Sequence, residues 1–216
     1  PKEFLFHFNN RILAYFGADL YEVAMATELK KEKTFFVPFN QGSNGAGNVG
    51  GAGNPAREDG GYVAAYLWEE VLKRDSLLAI LQRYISLQEE TKLSIVVDKH
   101  GKEKEVTNTS TKIIFPRYHQ LDVVEKLVAD TAATGSGTNY LIQHSAGSGK
   151  SNSIAWLTYR LAALHNAAQQ NIFNTVFVIT DRRVLNKQLQ DTILGFDHID
   201  GQIETITDTD PSAKLK

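Results

Sequence analysis

Cysteine is absent from the chain, which excludes a disulfide framework and any thiolate metal site and is compatible with a reducing cytoplasm. No apolar run approaches the ~20 residues of a membrane span. The N-terminal PKEFLFHFNNR has no basic head followed by an apolar stretch, so it is not a signal peptide. With no initiator methionine, the chain reads as an internal fragment of something longer. An excess of one charge is missing too: 23 Lys and Arg stand against 25 Asp and Glu, a net charge of −2. Nothing global therefore announces nucleic-acid binding, which would have to come from local basic patches. The six histidines form no HxxxH pair and no His–carboxylate cluster at zinc spacing. With 42% apolar and 22% charged residues, the 216 positions can form one large domain or two small ones around a real core.

Order is uneven along the chain. Residues 4–39 are dense in aromatic and β-branched residues (Phe4-Leu5-Phe6, Ile12 to Phe16, Thr34 to Val37), which predicts strands, with Gly17-Ala18-Asp19 as a turn. Gln41–Gly61 holds eight of the 16 glycines and predicts a long flexible loop. Its Gly45 to Gly50 satisfies GxGxxG, but more glycines and Pro55 follow where a dinucleotide site needs a helix. Leu67, Val71 and Leu72 begin a helical pattern. Asp75 can cap a second piece that buries Leu77, Leu78, Leu81, Tyr84 and Ile85. Leu93–Val97 and Ile113–Phe115 predict strands. The polar stretch between them, with His100-Gly101 as a turn, is the expected domain boundary.

The most informative stretch is Tyr140–Ser151, YLIQHSAGSGKS. An apolar run leads into a small-residue turn that ends in Lys150-Ser151, and a helix pattern (Ile154, Leu157, Leu161, Leu164) follows at once. Glycines let successive N–H groups converge on one anion, and the helix N-terminus adds its positive dipole end. In such a loop the lysine reaches the β/γ-phosphates and the serine hydroxyl ligates Mg²⁺. The full Walker pattern asks for glycine at 144, where this chain has His144. Thr175–Thr180, TVFVIT, is a continuous apolar run suited to a parallel strand covered on both faces. Strand, loop, helix and strand would make one βαβ unit.

Two flanking signals narrow the reading. In Phe115-Pro116-Arg117-Tyr118-His119-Gln120, a glutamine at a helix start offers the amide donor and acceptor that an adenine edge requires, with an aromatic nearby to stack on the base. Thr180-Asp181-Arg182-Arg183 sets two arginines at the end of the TVFVIT run, where they can engage nucleic-acid phosphates.

Taken together, the second half of the chain resembles the first RecA-like domain of superfamily 2 helicases and translocases. Gln120 takes the Q-motif position, AGSGKS the first motif and VFVITDRRVLNKQ motif Ia. More narrowly, HSAGSGKS, together with TFFVPFNQG, GAGNP and GYVAAYLWEEVL upstream, resembles the motor/restriction (R) subunit of type I restriction–modification enzymes, which accounts for His144. The resemblance implies an α/β fold. Residues 111–216 would be the start of a RecA-like P-loop NTPase domain, a parallel sheet with flanking helices. Residues 1–110 would be a mixed, loop-rich connector following the nuclease domain.

The resemblance also implies an ATP- and Mg²⁺-dependent translocase on double-stranded DNA that cleaves unmodified DNA. Such an enzyme works in the cytoplasm with methylation and specificity subunits. In this reading the backbone amides of Gly147, Ser148, Gly149, Lys150 and Ser151 cradle the phosphates, with Lys150 as the cation and Ser151 as the Mg²⁺ ligand. Gln120 reads adenine, and Arg182 and Arg183 contact DNA. Residues 1–216 contain no DEAH-type acid, no second RecA-like domain and no arginine finger, so the chain alone is expected to bind ATP weakly and not to turn it over. Asp19 with Glu28-Leu29-Lys30 mimics the acid plus ExK set of metal-dependent nucleases, although the family pattern places that core before residue 1. Two alternatives stay open. One is another P-loop enzyme such as a kinase, whose acceptor site is not found. The other is a non-catalytic DNA- or partner-binding module with a vestigial loop.

Overall fold

One carboxylate organises the first sheet of the computed structural model, which describes residues 3–8, 10–97, 103–180, 183–196 and 203–206. Asp19 accepts the backbone N–H groups of Tyr21 and Glu22, each at 2.7 Å, and so closes a turn between β1 (Tyr15–Ala18) and β2 (Val23–Ala26). The strands run antiparallel, Tyr15 opposite Ala26 and Ala18 opposite Val23. The turn expected at Gly17–Asp19 therefore lies further along, at Asp19–Glu22. β3 (Val37–Pro38) pairs antiparallel on the other side of β2, and the Phe39 N–H extends the pairing to the Val23 carbonyl at 2.8 Å. Phe4–Phe6, expected as strand, is a 3₁₀ turn, because the amides of Phe6 and His7 bond back to the Glu3 and Phe4 carbonyls.

The chain divides into two compact units, Pro1–Ala129 and Asp130–Lys216. In the first, aromatic rings make the centre. Phe39 is fully buried, Phe16 meets Phe39 and Phe115 at 5.2 and 5.7 Å, and Tyr118 meets Phe39 and Tyr66 at 5.9 and 5.1 Å. All four contacts are edge-to-face, the arrangement that ring quadrupoles favour. The buried Tyr66 hydroxyl donates to the Phe39 carbonyl at 2.8 Å, so the hydroxyl does not go unsatisfied.

A single π turn over Leu67–Val71 precedes α1 (Arg74–Arg83). Lys73, not Asp75, is the N-cap of α1, and the buried residues are Ile80 and Tyr84. Leu78 and Leu81, expected inside, are exposed. The polar stretch expected to be a domain boundary is largely a hairpin. β4 (Ser86–Val97) and β5 (Glu103–Ile114) pair antiparallel from Ser86 opposite Ile114 to Val97 opposite Glu103. The boundary expected at 110/111 thus falls within β5, and the His100-Gly101 turn lies outside the described residues. α2 (Tyr118–Thr134) follows the buried Pro116.

The Gly-rich segment has no helix or strand, yet it is built rather than slack. Asn40 Nδ2 donates to the Ala52 carbonyl at 2.8 Å, and the amides of Gly42 and Ser43 reach back to the carbonyls of Gly53 and Gly51. The expected flexible loop is instead a hydrogen-bonded excursion closed at its neck, the usual form of a compact Ω-type loop. A Cβ on Gly50 would stand 2.7 Å from the Asn44 amide nitrogen, whereas one on Gly17 would meet nothing within 4 Å. Gly50→Ala should therefore destabilise the chain by about 1–3 kcal/mol, the usual cost of overpacking, while Gly17→Ala stays near neutral. Urea melts of the two variants check the pair, and equal midpoints would show that the loop gives way.

In the second unit the parallel strands expected at 140–142 and 175–180 are not formed. Leu141 is 95% and Ile179 91% exposed, and the strand pairing among the described residues is antiparallel. A parallel sheet needs a helical layer on both faces. Here α3 (Lys150–Ala162) turns its buried side, Ala155 and Trp156, toward Leu189 and Ile193 of α4 (Arg183–Leu194) instead. The side expected to pack on a sheet is left partly open, with Ile154 exposed. Tyr159 and Phe196 flank the cluster, and the Tyr159 hydroxyl donates to the Ile193 carbonyl at 2.8 Å, satisfying one of α4's terminal acceptors.

Candidate nucleotide-phosphate site

Residues 145–149 reverse the chain just before α3. Gly147 and Gly149 both take the left-handed conformation, φ 72° and 81°. A side chain there carries a steric cost that glycine escapes. Gly149 is the N-cap of α3, and Lys150 and Ser151 are the first two residues of the helix. The sequence thus does locally what its spacing predicts: a tight turn delivers a lysine and a hydroxyl to a helix N-terminus, where the amides lack helical partners.

The ammonium of Lys150 folds back over this turn. Its Nζ donates to the carbonyls of Ser145 at 2.8 Å and His144 at 3.2 Å. That contact explains the mismatch at position 144. His144 contributes a main-chain carbonyl and has no positive φ, so nothing in the backbone requires glycine there. Burial, then the charge of Lys150, holds the His144 imidazole below its ordinary value near 6.5. The group is neutral at pH 7, and the stability it contributes is complete above about 6.5. That stability is lost as pH falls through the lowered value. His144→Gln should flatten this acid-side decline in melting temperature between pH 7.5 and 5, and an unchanged slope would locate the titration elsewhere.

Ammonium, hydroxyl and turn amides form an all-donor, electropositive set, and it fits a polyphosphate with its Mg²⁺. Ser148 is buried and Ser151 half-buried within it.

The other expected residues behave differently. Gln120, in the first unit, is 3% exposed, and its Oε1 accepts the Arg117 N–H at 2.8 Å, so it serves as the third-residue partner that caps its own helix. A carbonyl oxygen has two lone pairs, and the cap uses one. The aromatics expected to stack on a base, Phe115 and Tyr118, are instead spent in the ring cluster. Arg182 lies outside the described residues, and Arg183 is described only as the first residue of α4. In the nuclease-like set, Asp19 is engaged by its turn and Glu28 pairs with Lys30 at 2.7 Å. Among the described residues no group of three or more His, Cys, Asp or Glu could hold a metal ion. Likewise none of their helices is long and apolar enough to cross a membrane.

Residues 119–214 match the family model described as SWI2/SNF2 ATPase. The matched stretch contains Gln120, the 145–151 turn and the arginine pair, and it supports a helicase-like ATPase of superfamily 2, hence use of nucleotide and Mg²⁺. It does not reach residues 1–118 and does not single out type I restriction subunits. No curated protein and no solved structure matches the chain significantly.

Proposed function

We propose that this chain is the ATP-binding part of a DNA translocase motor and, more narrowly, part of the R subunit of a type I restriction enzyme. The observation that carries the nucleotide reading is the Lys150 ammonium folded over a turn with left-handed glycines at 147 and 149, at the mouth of a 13-residue helix. A triphosphate would displace the two carbonyls and take the ammonium, while the amides of Gly147–Ser151 receive its oxygens. The Ser151 hydroxyl would hold Mg²⁺, whose chemistry is to neutralise charge on the β- and γ-phosphates. Gln120 is assigned to adenine, with its capping bond fixing which end of the amide is which.

The narrower identity draws support from TFFVPFNQG, GAGNP and GYVAAYLWEEVL, which the structure joins into one packed unit through Phe39, Tyr66 and Tyr118. Double-stranded DNA, contacted by Arg182 and Arg183, and the methylation and specificity subunits are the partners this identity carries.

Titrating the chain with ATP·Mg²⁺ and following phosphate release with and without duplex DNA tests the proposal. Binding without steady turnover is the expected result. Absence of binding would leave a vestigial loop, and phosphoryl transfer to a small acceptor would favour a kinase.

A further inference from the structure

Gln120 can discriminate between bases only if its amide is held in one orientation. Adenine presents N6–H as donor beside the N7 acceptor, whereas guanine presents two acceptors at the same edge, so a loosely held amide would serve both. One restraint is the bond from the Arg117 N–H. A second comes from far away in the sequence. Two positions before Gln120, the Tyr118 ring is 7% exposed, packed against Phe39 and Tyr66, and its hydroxyl accepts Gln41 Nε2 at 3.0 Å. Burial pushes this phenol up to about 12, so it stays protonated.

Gln41 is itself held. Its N–H donates to Asn54 Oδ1 at 2.8 Å, and Asn54 Nδ2 donates to the Tyr21 carbonyl and to Asn40 Oδ1 at 2.8 and 3.0 Å. Asn40 closes the neck of the Gly-rich loop through the Ala52 carbonyl. A continuous set of hydrogen bonds thus runs from the loop neck through Gln41 and Tyr118 to the first turn of α2.

We propose that Gln41 is a positioning residue for Gln120, and that the clasped neck of the Gly-rich loop sets the base selectivity of the nucleotide site. This rests on the assignment of Gln120 to adenine.

The test compares ATP, GTP and inorganic tripolyphosphate binding to the full 216-residue chain and its variants. Gln41→Ala and Tyr118→Phe, the latter keeping the packed ring, should lower the ATP-over-GTP preference roughly three- to tenfold, the worth of one neutral hydrogen bond. Tripolyphosphate affinity should not move. Gln41→Glu, whose carboxylate accepts from the Tyr118 hydroxyl, should retain most of the preference, and should lose it when combined with Tyr118→Phe. Gln120→Ala is the arm that separates the two ideas. If it abolishes the preference while Gln41→Ala and Tyr118→Phe leave it intact, the positioning role is wrong and the adenine assignment stands. If Gln120→Ala leaves the preference intact, or the unmodified chain binds both nucleotides equally, the adenine assignment fails and the positioning role goes with it.

Discussion

Lys150→Ala removes ATP binding while the chain melts close to its unmodified temperature. Lys150 is exposed, and its two hydrogen bonds go to main-chain carbonyls of a surface turn that water can solvate equally well. Its contribution to the fold is therefore small, as for most exposed polar side chains. Its contribution to a bound triphosphate is large, because an ammonium facing phosphate oxygens makes charge-assisted bonds that no neighbouring side chain in the turn replaces. The expected loss is roughly a hundredfold or more, the upper end for hydrogen bonds to charged groups. Fluorescence or calorimetric titration with ATP·Mg²⁺, beside a thermal melt, checks both halves. Unchanged affinity would defeat the phosphate-site assignment, and a collapsed melt would show that the lysine holds the turn together.

The turn was legible because identity and conformation coincide there: Gly147 and Gly149 are the residues that need positive φ, and Lys150 opens the helix. The departure at His144 was legible as a mismatch but not as harmless, since a main-chain role leaves no mark on residue type. Packing partners were read less well. The interval-of-three-and-four pattern in α3 shows that one side is apolar, yet Ala155 and Trp156 make the buried contact with α4. Apolar spacing says that a face can be buried, not which neighbour is present to bury it.

The same limit applies to TVFVIT, whose composition suits a covered strand and whose residues Phe177 and Ile179 are exposed. β4 and β5 were hidden for the opposite reason. Their inward and outward positions are largely Thr, Ser, Glu and Lys, so polarity suggested a linker, while pairs such as Thr91 with Thr109 and Leu93 with Thr107 form the ladder. Threonine's β-branched preference was the available signal. In Phe115 and Tyr118 the sequence offered aromatics beside Gln120, and only the fold shows the rings turned inward.

Trp156→Ala should have the largest effect on the second unit, and it separates loss of site from loss of fold. The indole is 1% exposed and meets Phe196 at 6.0 Å, beside the small cluster of Ala155, Leu189 and Ile193. Truncating a buried Trp removes its transfer energy and leaves a cavity, together about 3–5 kcal/mol. A domain holds only about 5–15 kcal/mol in total, so α3 and α4 lose most of what keeps them together. The turn that carries Lys150 is continuous with α3, and ATP binding should therefore disappear along with the packing.

Fluorescence reports the change directly, because Trp68, half-exposed, is the one indole left. The unmodified chain should show a blue-shifted component that the variant lacks, and the variant should lose the unfolding transition that this component follows. Lys150→Ala, by contrast, keeps both the blue-shifted emission and the transition while losing the nucleotide. If Trp156→Ala retained ATP affinity, the phosphate turn would hold its shape without the α3–α4 contact. The dependence of the site on that contact would then be wrong.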